Sequence, residues 1–324
     1  MTLAPLVAGA AGRPTLSFEL FPPRSPDGRD ALWRRLSDLL ATQPDFVSVT
    51  FGAAGATRGP SRDLLAHVLS STAVPAMAHL TCVGSSRREV VDLACEFFDA
   101  GVRNVLALRG DPPAGAGTGE FRPHPDGVPT ARDLVELLQV ADRRRLALRG
   151  GRLPVDVPPL SLAVAAFPRD RDGHELAVLR AKQDAGAQFA VCQVGWSARE
   201  YATFVERARA AGVTIPLLPG LAVTHEVRRL ERIGELTGVP APRALLAALE
   251  TDDVRVRRRA ATAFTSGLAR DLLAAGAPGL HLYTFNAVEP VLDLLDHLLD
   301  HLRNPTNLPR PAERRVRAVG GAPR

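Results

Sequence analysis

The sequence predicts an α/β protein folded as a single (β/α)8 barrel, the TIM barrel. Eight apolar runs of strand length recur along the chain. Most are continuously apolar, as parallel strands covered on both faces require. Amphipathic patterns of helical period separate them, and 324 residues suit one such barrel. A doubly wound sheet is the alternative for such alternation. It wants G-x-G-x-x-G after the first strand, where this chain has "ELFPPR".

Taken in order, the first strand is residues 15–21, "TLSFELF". The helix over 29–42 sets Leu32, Trp33, Leu36, Leu39 and Leu40 on one face. Strand 46–51 runs into the glycine-rich "GAAGATRG". Strand 76–81 is followed by a helix over 87–101 that ends on glycine, a common C-cap. Strand 104–108 opens into "RGDPPAGAGTGE", and a helix follows over 131–140. The connection 143–159 is far longer than usual. Strand 161–167, helix 174–185, strand 189–194, helix 198–211 and strand 215–219 come next. A helical section over 226–275 breaks near 237–243, before strand 280–285 and helix 288–302. Residues 1–14 read as a disordered leader, 15–303 as the barrel, and 304–324 as a disordered basic tail.

Composition narrows the function classes. The net charge of +5 comes from 40 basic and 35 acidic residues interleaved along helices, which argues against a nucleic-acid surface. Lys182 is the single lysine. No apolar run reaches the roughly 20 residues of a membrane span. The first basic residue is Arg13, too late for a signal peptide, so a cytoplasmic protein is expected. Cys82, Cys95 and Cys192 form no C-x-x-C pair and read as small buried hydrophobes, with no metal site expected.

Barrel chemistry sits at the carboxyl ends of the strands. Those ends carry Glu19, Thr50, His79, Arg109 with Asp111, Gln193 and Asn286. Glu19 stands between Phe18 and Leu20, and burial biases a carboxyl group towards its neutral form. It is either a proton donor or half of a structural ion pair, for instance with Arg109. A lone strand histidine such as His79 is more often a satisfied core residue than a ligand. Thr50 and Gln193 alone are weak signals. Two glycine-rich loops, after the second and fourth strands, let backbone approach a ligand. These residues indicate a site for a large polar ligand and leave the reaction open.

Six ordered stretches narrow it: "SFELFPPR", "FVSVTFGAAGATR", "AHLTC", "NVLALRGDPP", "VAAFP" and "GLHLYTFN". Together they resemble bacterial methylenetetrahydrofolate reductases, over residues 16–302. The resemblance implies a barrel holding FAD, reduced by NADH or NADPH, that turns 5,10-methylenetetrahydrofolate into 5-methyltetrahydrofolate. It implies Glu19 as general acid and Asp111 as a catalytic carboxylate touching folate and flavin. Phe51, Ala53, His79, Arg109, Gly110, Ala131 and Phe167 match flavin-contacting positions. Thr50 and Gln193 match nicotinamide or folate contacts, and Lys182 a lysine at the flavin phosphates. A homo-oligomer is expected on the same grounds.

The chain also departs from that pattern. Arg169 and Arg171 replace an acid and a flavin-contacting histidine, with His174 a possible stand-in. Phe167 replaces a frequent tyrosine, and Val178 an asparagine. Arg229 and Ala287 fall where some members use glutamine and arginine for folate. Two other readings therefore stay open: direct hydride transfer from NADH to the folate without flavin, and a non-catalytic folate- or flavin-binding paralogue.

Overall fold

A computed structural model describes residues 1–23, 25–51, 58–110, 123–148, 158–169, 173–298 and 302. Eight parallel strands close into a barrel in chain order. They are β1 (Thr15–Leu20), β2 (Phe46–Val49), β3 (Ala76–Thr81), β4 (Asn104–Leu108), β5 (Ser161–Ala166), β6 (Phe189–Val194), β7 (Leu217–Ala222) and β8 (Gly279–Tyr283). β8 pairs with β1 from Thr15↔Gly279 to Glu19↔Tyr283, so no edge is left open. β7 lies two to three residues beyond its predicted place, because "LPGLA" continues the ladder through Gly220.

Around the barrel lie α1 (Leu3–Pro5), α2 (Pro26–Ala41), α3 (Arg58–Ser71), α4 (Arg87–Asp99), α5 (Ala131–Leu148), α6 (His174–Asp184), α7 (Ala198–Ala210), α8 (Val227–Thr237), α9 (Arg243–Leu249), α10 (Val254–Ala274) and α11 (Val288–Leu295). α4 starts on a capping box: Glu89 N donates to Ser86 Oγ at 3.3 Å, and Ser86 N donates to Glu89 Oε2 at 2.8 Å. No described helix is long and apolar enough to cross a membrane.

Strand alternation divides the core in two. Leu16, Phe18, Leu20, Val47 and Val49 face outward onto helical residues such as Leu32, Leu36 and Leu64. The alternate residues Phe46, Met77, Leu106, Ala163, Phe189 and Leu218 fill the barrel axis. A buried ion pair ties α5 to β4: Arg103 Nη1 and Nη2 donate to the two Asp142 oxygens at 2.8 and 3.0 Å. Arg103 Nε also donates to Pro158 O at 2.8 Å.

The leader differs from its predicted disorder. Leu3 and Val7 are fully buried within the axial cluster. Leu3 N donates to Asn104 Oδ1 at 3.0 Å, and Ala4 N to Ser161 Oγ at 3.1 Å. Asn104 and Ser161 begin β4 and β5, so this segment stoppers the amino end of the barrel. Arg13 then clamps Asp45 with two hydrogen bonds, at 2.9 and 2.7 Å. The predicted tail, 304–324, lies outside the described residues.

Candidate active site

Glu19 points into the barrel, because its neighbours Phe18 and Leu20 belong to the outer layer. The contacts of its carboxyl confirm this. Glu19 Oε2 lies 3.7 Å from His79 Nε2 on β3 and 3.7 Å from His281 Nε2 on β8. β3 is not a neighbour of β1, so these groups meet across the interior. Glu19 is 6% exposed, His79 5% and His281 0%.

Burial pushes the His79 imidazolium down to about 4, with Glu19 opposing and His281 assisting. His79 is therefore neutral near pH 7, and its approach to Glu19 is not an ion pair there. Its Nε2 has no hydrogen-bond partner. Tyr283, opposite Glu19 on β8, donates its hydroxyl to Cys192 O at 3.2 Å. Burial raises the Tyr283 phenol well above its usual range, with Glu19 adding to the effect. Burial likewise raises the Cys82 and Cys192 thiols, to about 11 and about 12, which removes their nucleophilic character.

The rim above Glu19 is fixed by backbone clamps. Thr284 Oγ1 donates to Glu19 O at 2.6 Å. Asn286 brackets Phe21: its Oδ1 accepts from Phe21 N at 2.9 Å, and its Nδ2 donates to Phe21 O at 2.8 Å. Phe285 and Asn286 both hold positive φ, 49° and 58°, a cost tolerated where surroundings enforce it. Phe285 stacks on Phe21 at 5.7 Å, and Arg229 lies over the Phe285 ring at 5.3 Å.

The other expected site residues divide. Thr50 sits at the rim beside β1, its N donating to Leu20 O at 3.0 Å. Phe51 turns outward and packs edge-on against Phe97 of α4. Gly110 has φ +87°, and a Cβ there would come 2.5 Å from Val83 Cγ1, so β3's continuation alone demands glycine. Arg109 O receives the Cys82 thiol at 3.4 Å. Ala131 is buried at the start of α5. Gln193 Oε1 accepts from Val194 N at 2.9 Å and lines a narrow cavity of ≈ 80 Å³ with Phe167, Tyr201 and Gly220. Asp111 and Ala53 lie outside the described residues.

Lys182 is buried, not displayed. Its Nζ donates to Ala165 O at 2.9 Å and sits 5.8 Å from the Phe167 ring centre. Desolvation lowers its pKa, Glu175 opposing and Arg109 assisting.

The sequence profile of methylenetetrahydrofolate reductases matches residues 6–299. The chain belongs to the methylenetetrahydrofolate reductase family. It is 29% identical to the 5,10-methylenetetrahydrofolate reductase of Pectobacterium carotovorum over 290 residues, 87% of this chain and 89% of that one. The Escherichia coli K12 reductase is 28% identical, with 87% and 90% covered. A probable methylenetetrahydrofolate reductase (NADH) of Oryza sativa is 29% identical over 90% of this chain and 49% of its own. Among solved structures, a Clostridium thermocellum protein superposes with a TM-score of 0.59 at 13% identity, covering 90% of this chain and 99% of that one, which supports the fold alone. The family assignment makes the chain an enzyme.

His281 and Tyr283 went unassigned in the sequence. The signal was present: "HLY" alternates like "SFE" of β1, so His281 and Tyr283 share the inward face.

Proposed function

We propose that this enzyme reduces 5,10-methylenetetrahydrofolate to 5-methyltetrahydrofolate, with NADH or NADPH as hydride donor and FAD as relay. One observation carries the reading. A carboxyl group is buried at the carboxyl end of the barrel, faced by two histidines of which one is held neutral by burial.

Opening the imidazolidine ring of the folate needs a proton on the leaving nitrogen. Glu19 supplies it, and the methylene iminium then accepts hydride. Burial keeps water from competing for that proton. Asp111, one residue beyond Gly110, would add its charge near the reacting ring. For FAD, the orphaned His79 Nε2 and the Arg109–Gly110 backbone are the fitting features on the ring side. FAD bound there would supply a hydride carrier between the nicotinamide and the folate.

Lys182 favours a second reading. Its ammonium is buried beside Phe167 and gives one of its three N–H donors to Ala165 O, which turns it away from an exposed diphosphate. Direct hydride transfer from the nicotinamide to the folate needs no such contact. A visible spectrum of purified protein separates the two: flavin absorption supports the relay, and NADH-dependent folate reduction by colourless protein supports direct transfer. If neither NADH nor NADPH is oxidised with methylenetetrahydrofolate, both readings fail.

A further inference from the structure

We infer that Phe21 and Phe285 form an aromatic seat at the rim for the aminobenzoyl ring of the folate, and that Arg229 of α8 is the positioning residue that holds Phe285 there. This rests on the reading of Glu19 as proton donor to that substrate.

The turn after β8 gives the first reason. Ala287 N donates to Thr284 O at 2.8 Å and closes a four-residue turn. Its two middle residues, Phe285 and Asn286, have φ of 49° and 58°, the type I′ form. Such positions ordinarily fall to Asn, Asp or Gly, which tolerate the left-handed region. Asn286 fits that preference. Phe285 does not, so the turn keeps a large ring at a conformational cost. Backbone strain of this kind, at the end of a barrel strand, points to a use for the side chain.

The ring is held from two sides. Phe21 lies 5.7 Å away with 12° between the ring planes. Arg229 Nη1 donates to Phe285 O at 3.2 Å, and the guanidinium carbon stands 5.3 Å from the Phe285 ring centre. Glu226 Oε2, 3.4 Å from Arg229 Nη2, steadies the far side of the guanidinium. A planar fork grips a carbonyl and covers a ring at once, which an ammonium does not. Both phenylalanines nevertheless stay only half-buried, so ring surface is left for a ligand.

The chemistry names the ring they receive. The product keeps the new methyl group on the pteridine nitrogen. The bond that breaks therefore joins the methylene carbon to the other nitrogen, the one that bears the aminobenzoyl ring. The electron pair of that bond goes to this nitrogen, which takes the Glu19 proton. The aminobenzoyl ring is thus attached directly to the protonated atom. Phe21 lies two residues beyond Glu19, and Phe285 follows Thr284, whose Oγ1 donates to Glu19 O at 2.6 Å. Aromatic faces so close to the proton donor suit that flat ring. Arg229 works through Phe285 and touches no reacting atom.

The test is kcat/KM for each substrate, with a thermal melt to confirm folding. Phe285→Gly removes the ring and gives the turn a residue it prefers. The value for methylenetetrahydrofolate should fall about tenfold while that for the nicotinamide donor stays within about twofold. Phe285→Tyr, which restores a ring, should recover most of the loss. Arg229→Ala and Arg229→Lys should each lower the folate value about threefold, and Arg229→Ala should add nothing once Phe285 is glycine. A purely structural ring would lower both substrates' values alike. An unchanged folate value in Phe285→Gly, or an equal fall for both substrates, overturns the seat. Additive losses in the double variant overturn the positioning role of Arg229. Should Phe285→Gly fail to fold, Phe285→Leu decides: a folate-selective loss supports the seat, and its absence overturns it. Failure of the underlying reading looks different, since Glu19→Gln would then reduce folate at the wild-type rate.

Discussion

The two sides of the barrel interior differ in polarity, although Phe46 and Met77 lie on the more polar side and Asn104 and Ser161 on the more apolar one. Between β8 and β3 the inward residues include Ser17, Glu19, Ser48, His79, His281 and Tyr283. Between β4 and β7 they include Leu106, Ala163, Phe189, Val191 and Leu218. The apolar half gains by dispersion and burial and tolerates no unpaired polar atom. The polar half leaves His79 Nε2 buried without a protein hydrogen-bond partner, a cost that stability alone does not explain. A barrel can carry such a sector because the other half, and the outer helical layer, hold the fold.

The sharpest way to break that division is Glu19→Gln. It should lower folate reduction by about 10²–10⁴-fold, with melting temperature almost unchanged. Steady-state assays beside a thermal melt check this. An equal loss of activity and stability would mean the carboxyl is structural. On the opposite side, Phe189→Ala should destabilise by ~3–5 kcal/mol, read by urea unfolding, while KM for the folate stays near wild type. Acid titration tests the polar half again. His79 binds its proton far more weakly when folded than when unfolded, so the unfolded chain takes up more protons as pH falls. Stability tied to neutral His79 is fully present above about 6.5 and drains away between there and about 4. His79→Gln should flatten the fall in unfolding free energy across that window, by up to about 3 kcal/mol. The smallest effect is Leu3→Ala, with a loss of ~2–3 kcal/mol by the same unfolding assay and no change in the pH profile.

Much of this division was legible beforehand. Continuous apolar runs announced parallel strands, and a carboxylate inside one of them, Glu19, read as either a proton donor or half of an ion pair. What went unread needed three dimensions. His281 is an unremarkable letter in "GLHLY" until closure of β8 on β1 brings it to Glu19. α3 was missed because its first turn is "RGP", which reads as a loop although proline suits a helix's first turn. The leader looked disordered by composition, and only the open amino end of the barrel gives Leu3 and Val7 somewhere to go. The role of Lys182 was carried over from a resemblance, and its burial under Phe167 follows from packing that no motif encodes.

Leu3 and its neighbours turn the barrel into a well with a floor. Among the described residues, the end left open to a ligand is the carboxyl rim, beside Glu19. On the function proposed above, the hydride donor and its acceptor share that opening. Any two reactants too bulky to sit there together are obliged to come and go in turn.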